Sequence, residues 1–200
     1  LLGYVFLLLV TRTSGAEVWG IFTLCLALLH ITSIVSRCGI DISLVRYISE
    51  YLPNYSNIRK LFNKGVLLVS FFSILVSIFI YFLSEFIALF VFKNSDLVPL
   101  IKITSFAILP FSLSVIIAQS FRGIKEIKYF TFFLQPARYL FAIVLLPVLN
   151  YFQFFDSQFT PILSFSIGLL FVLFLAWFLF NKKISNHELY IDLQGRRIDY

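Results

Sequence analysis

Long apolar runs alternate with short polar gaps over most of the chain. Five complete runs follow residue 17, and a sixth, Leu1 to Val10, stands at the N-terminus. A helix needs about 20 apolar residues, at ~1.5 Å rise each, to cross the hydrocarbon of a bilayer. The gaps are too short to hold a globular domain. The pattern therefore predicts an all-α, polytopic membrane protein built as a bundle of six transmembrane helices.

The first run ends at Thr11-Arg12-Thr13-Ser14-Gly15, where Gly15 supplies a turn. The second runs from Glu17 to Val35, and its helical pattern continues toward Pro53, the first firm stop. Val18 to Leu52 as one helix would be about 52 Å long, so it must protrude, tilt or bend, with Gly39 as the natural hinge. Asn54 to Lys64 reads as a polar, basic connection. The third span runs from Gly65 to Leu83, with Ser84 to Phe92 as an amphipathic extension. Asn94-Ser95-Asp96 starts the next helix, with Pro99 in its first turn. The fourth span covers Leu97 to Phe121 and carries Pro110. Arg122 to Lys128 is a short basic loop. The fifth span, Tyr129 to Leu149, carries Pro136. Asn150 to Thr160 connects it to the sixth, Pro161 to Phe180. The expected division is a lobe over residues 1–181 and a cytoplasmic or interfacial tail over 182–200. The chain has no Met, and its first run is about half a span. Both ends therefore read as cut, the first inside a transmembrane helix.

Composition agrees. Hydrophobic residues make up 60%, charged residues 13%, and the mean hydropathy is +0.95. The net charge of +6 would suit a nucleic-acid binder, but the basic residues sit in the gaps and form no soluble face, so nucleic acid is excluded as a partner. Twelve of the sixteen Lys and Arg fall on one side of the expected bundle and only Arg12 and Lys93 on the other. That bias puts the N-terminus and the tail in the cytoplasm, which an even number of spans satisfies. Cys25 and Cys38 have no metal spacing and read as small packing residues.

The remaining two cations, Lys102 and Arg138, fall inside spans. A charge at a helix centre costs about 2.5–3.5 kcal/mol on insertion scales, so it tends to mark a polar cavity. Arg138 lies ten residues beyond Lys128, about 15 Å into the membrane. It either faces a hydrated interior and offers a forked donor to phosphate, or snorkels or pairs with a carboxylate. Arg37 and Asp41 sit where the second apolar run ends, and a cavity role or a surface pair fits both. Arg46 with Glu50 is further out, and Lys102 is one turn into its span. Arg12 suits an interface anchor or a cavity group. Catalytic and nucleotide-binding signatures are absent: no paired carboxylates, no Gly-rich phosphate loop, no metal-ligand spacing. No cofactor is expected. His30 is expected as a hydrogen-bonded core residue.

Three stretches carry a family resemblance. They are Gly3-Tyr4 with Thr11 to Phe22 (TRTSGAEVWGIF), Gly39 to Tyr51 (GIDISLVRYISEY), and Phe121 to Tyr129 (FRGIKEIKY). Together they resemble bacterial polysaccharide flippases of the multidrug, oligosaccharidyl-lipid and polysaccharide exporter superfamily. The resemblance implies the N-terminal lobe of a two-lobe protein, followed by the start of an inter-lobe linker. Its partners would be a C-terminal lobe of the same chain, membrane lipids and a lipid-linked oligosaccharide. It implies transport of undecaprenyl-pyrophosphate-linked sugars from the cytoplasmic to the periplasmic leaflet of the cytoplasmic membrane, by alternating access through a cationic cavity. Arg12 matches a motif arginine, and Arg37 lies near a position where relatives are basic. The expected pyrophosphate site is thus Arg12, Arg37 and Arg138, with Asp41, Arg46 and Lys102 as secondary candidates. A cation-coupled multidrug exporter of the same superfamily is one rival, though Leu1 to Val10 lacks the acidic residue it usually needs. A membrane-embedded enzyme acting on lipid-linked sugars is another, and a structural scaffold a third.

Overall fold

The structure, a computed structural model, describes residues 2–152 and 158–198. The described residues form helices and no strand: α1 (Leu2–Ser14), α2 (Ala16–Arg37), α3 (Ile40–Glu50), α4 (Tyr55–Phe86), α5 (Leu97–Gly123), α6 (Ile127–Leu134), α7 (Pro136–Phe152) and α8 (Thr160–Ile198). Among them, α2, α4 with its continuation to Val91, α5 and α8 are each long and apolar enough to cross a membrane. The bent pair α6–α7, taken together as one span, is long and apolar enough for a fifth. The short apolar helix α1 occupies the place of the first run. Residues 153–157 of the expected Asn150–Thr160 connection, and the tail side chains beyond His187, lie outside what is described.

Helix α5 is the axis of the bundle. It is apolar on every side, which is the pattern of a helix buried all round, and it packs against α2, α3, α4, α6 and α8. Several of its hydroxyls serve its own backbone: Thr104 donates to the Leu100 carbonyl (2.8 Å), Ser114 to Phe111 (2.8 Å) and Ser120 to Ile116 (2.9 Å). Such internal bonding is what a dry interior demands. Two apolar clusters stack along α5. One joins it to α1, α2, α7 and α8 through residues such as Phe6, Phe22, Phe111 and Phe165. The other joins its C-terminal half to α3, α4, α6 and α8 through Ile48, Phe62, Phe121, Phe133 and Phe180. The outer faces stay apolar. Leu67, Phe82 and Phe174 are 70%, 76% and 75% exposed, as lipid-facing positions are.

The expected long second helix does break at its glycine. Cys38 (φ 46°) and Gly39 (φ 76°) both take left-handed backbone, and the Cys38 N–H closes the end of α2 on the Val35 carbonyl at 3.3 Å. The chain then continues along the C-terminal half of α5 as α3, which is seated by two glycines. A Cβ on Gly123 would stand 2.8 Å from both Cβ and Cγ2 of Ile48 and 3.4 Å from the Val45 carbonyl oxygen; one on Gly65 would collide with the Leu44 side chain.

One expected connection is corrected. Asn54 to Lys64 is not a loop: Asn54 caps α4, its side chain accepting the Asn57 N–H at 3.2 Å, and helix follows at once. Ile58 and Phe62, both fully buried, give these polar turns an inner face. At its far end α4 widens into a π-helical turn, Ile87–Val91. The expected sixth span continues without a break to Ile198 as α8.

Seating α3 on Gly123 makes a prediction. Gly123→Ala pushes against a stiff β-branched side chain and should destabilise the purified full-length protein by about 1–3 kcal/mol. Gly20→Ala, where a Cβ meets nothing within 4 Å, should leave the melting temperature unchanged or raised. Equal melting of the two variants would contradict the seating.

Candidate functional site

Arg138 enters the bundle because the fifth span is broken. Gln135 leaves helical geometry (φ −139°, ψ −52°), α7 restarts at Pro136, and the two halves meet at 44°. Proline suits the first position of a helix, where its missing N–H costs nothing. Arg138 therefore lies in the first turn of α7, where unpaired backbone N–H groups leave partial positive charge. Its side chain is 4% exposed, with Cζ 4.2 Å from the centroid of the Phe111 ring on α5. Its Nε and Nη2 are buried and have no hydrogen-bond partner, and among the described residues no carboxylate pairs with it.

The other face of this site is α2. The His30 ring meets Phe111 edge-on, with centroids 4.9 Å apart and planes at 82°. His30 is exposed, which corrects its expected place in the core. It lies within electrostatic reach of both Arg138 and Arg37. A buried hydroxyl network fixes α2 against α5. Ser36 and Ser112 hydroxyls are 2.8 Å apart, and Ser112 donates to the Ser33 hydroxyl at 3.1 Å. Small hydroxyl residues let two helices approach closely in a membrane. One residue further along α2, Arg37 donates Nε to the Ser33 carbonyl (3.0 Å) and Nη1 to Asp41 Oδ2 (3.1 Å). The pair's side chains are 12% and 17% exposed. Because Cys38 and Gly39 intervene, the ion pair ties the end of α2 to the start of α3. Arg37 and Arg138 are near enough to repel each other.

The six expected site residues are thus divided. Arg138, Arg37 and Asp41 come together around α2, α5 and α7. Arg12 is exposed in the last turn of α1, at the opposite end of α2 from Arg37, about 33 Å away by helix rise. Arg46 and Glu50 form an outer pair at 2.9 Å, 77% and 52% exposed. Lys102 precedes Phe111 by nine residues on α5, which puts it about 13 Å away on the opposite face. Sequence reasoning missed Phe111 and the role of His30. It held one usable signal for the placement of Arg138: Gln135-Pro136 marks a helix start, so Arg138 falls in a first turn.

Comparison with known proteins gives one match. A family model described as polysaccharide biosynthesis protein matches residues 1–194. No curated protein and no solved structure matches the chain.

Unpaired Arg138 and paired Arg37 should respond oppositely to loss of charge. Arg138→Met removes a desolvated ion and keeps its volume, so the melting temperature of the full-length protein should hold or rise. Arg37→Met strands Asp41 and should destabilise by about 1–3 kcal/mol. If Arg138→Met unfolds the protein, Arg138 is a structural group.

Proposed function

Because the chain belongs to the polysaccharide biosynthesis protein family, we propose that it forms one lobe of a flippase that moves undecaprenyl-pyrophosphate-linked oligosaccharide across the cytoplasmic membrane. Membership itself supports an exporter role in general, since the family's members are generally transporters. The finer reading is carried by one observation: Arg138 is buried, unpaired and two of its nitrogens lack acceptors. An apolar lobe that holds such a group without a carboxylate leaves it available to an anion.

The chemistry follows from the cargo. A lipid-linked sugar has a long tail, an anionic diphosphate and a large polar head. Carrying the head through hydrocarbon unaided would strip its hydrogen bonds. Arg138 offers a planar fork to phosphate oxygens, strengthened by low dielectric and by the N-terminus of α7. Arg37, its charge balanced by Asp41, adds N–H donors on the same side, and His30 adds a ring that donates when protonated. Arg12 would act elsewhere, where cargo enters or leaves the opposite end of α2. Breaks at Gln135 and at Cys38–Gly39 lie within three residues of Arg138 and Arg37, and small rotations there would aim the guanidinium groups at the cargo or away from it. Rocking of this lobe against a second would then alternate access. The excess of Lys and Arg at one end supports a cytoplasmic placement for α3 and the C-terminal end of α8.

Arg138→Gln in the full-length protein should weaken binding of a polyprenyl-diphosphate sugar by about 10–100-fold, the scale of one charged hydrogen bond, and abolish surface polysaccharide in cells. Arg46→Gln should leave both unchanged. Normal binding and polysaccharide with Arg138→Gln would sink the proposal.

A further inference from the structure

Between α4 and α5, on the face of α5 away from Phe111, runs a groove of about 170 Å³ lined by Ser77, Ile78, Tyr81, Phe82, Ser105 and Phe106. Phe82 and Phe106 flank it and are 76% and 71% exposed, so in a bilayer the groove meets lipid. Its floor is chemically closed: the Ser77 hydroxyl donates to the Ser105 carbonyl at 2.6 Å, and the Ser105 hydroxyl to the Lys102 carbonyl at 2.7 Å. Nothing there calls for a polar guest. The deep part suits an acyl chain.

The mouth differs. Lys102 Nζ sits 5.7 Å from the centre of the Tyr81 ring and 3.6 Å from Glu85 Oε1. Lys102 is near the start of α5, and Tyr81 and Glu85 are near the end of α4, so these groups lie toward the membrane surface, whereas Ser77 and Phe106 lie deeper. The Lys–Glu contact is longer than a hydrogen bond. The side chains are 35% and 72% exposed, so both charges can take new partners. A cation and an anion side by side above an oily groove match a headgroup that carries the reverse pair. Phosphate fits Lys102, and a primary ammonium fits Glu85. A headgroup with only a negative charge would meet Glu85 as a repulsion, and a quaternary ammonium would bring no N–H to donate.

We propose that this groove holds one zwitterionic glycerophospholipid with a primary ammonium headgroup, as in phosphatidylethanolamine. Its acyl chain lies along Ser77–Phe106, its phosphate on Lys102 and its ammonium on Glu85. The site does not depend on what the arginine site carries.

The test is native mass spectrometry of the full-length protein, delipidated and offered phosphatidylethanolamine, phosphatidylglycerol or phosphatidylcholine with identical chains. The ethanolamine lipid should be retained about tenfold over the other two, the scale of one charge-assisted hydrogen bond. Lys102→Met should lose that retention. Glu85→Gln should bring phosphatidylglycerol level with phosphatidylethanolamine. Equal retention of all three lipids by the unaltered protein would overturn the site. So would a preference for phosphatidylglycerol, which would leave Lys102 acting alone, or an unchanged preference in both variants. Both side chains are partly exposed, and an unchanged melting temperature separates loss of lipid from loss of fold.

Discussion

A guanidinium held out of water without a counter-ion is the constraint on which this bundle turns. Desolvating such an ion costs several kcal/mol even after the protein relaxes. Around Arg138 that cost is offset in part by the face of Phe111, a contact worth up to about 2 kcal/mol when desolvated. The balance has to come from the packing that surrounds it. Two stacked clusters of aromatic and aliphatic side chains along α5 supply that packing. A buried ion without a partner is thus a cost that the packing must offset.

The geometry of the backbone agrees with this emphasis. The two inward arginines sit beside the two places where an otherwise helical span stops and restarts. Arg37 precedes the left-handed pair Cys38–Gly39, and Arg138 follows Gln135. Breaks in membrane helices survive only where the freed backbone is buried in protein or faces a hydrated space. Elsewhere the helices are held by close contact: serine hydroxyls join α2 to α5, and glycines admit α3 against α4 and α5. Charge thus sits at the breaks, with close packing between them.

Much of this was legible in the sequence wherever the signal was local. Apolar runs located the spans, the glycine after Arg37 located a bend, and the spacing of Arg37 and Asp41 foretold their pairing. Counting residues from Lys128 put Arg138 well inside its apolar run, and its side chain is buried. What failed was information that depends on neighbours. The polar residues of Asn54 to Lys64 hid Ile58 and Phe62, whose burial against other helices makes that stretch helix. Phe111 is one of 26 phenylalanines, and nothing local marks it as the one beneath the guanidinium. His30 reads as a core residue until α5 is seen to meet only one edge of it. Lys102 and Arg138 look alike as charges within spans, and only the turn of α5 puts Lys102 on the other side, above a groove of its own.

Electron cryomicroscopy of the full-length protein with a polyprenyl-diphosphate sugar bound would test the central claim most directly. Diphosphate density within hydrogen-bond distance of Arg138 Nε and Nη2 is the expected result. Density resting elsewhere, with Arg138 still against Phe111 and its nitrogens untouched, would contradict it.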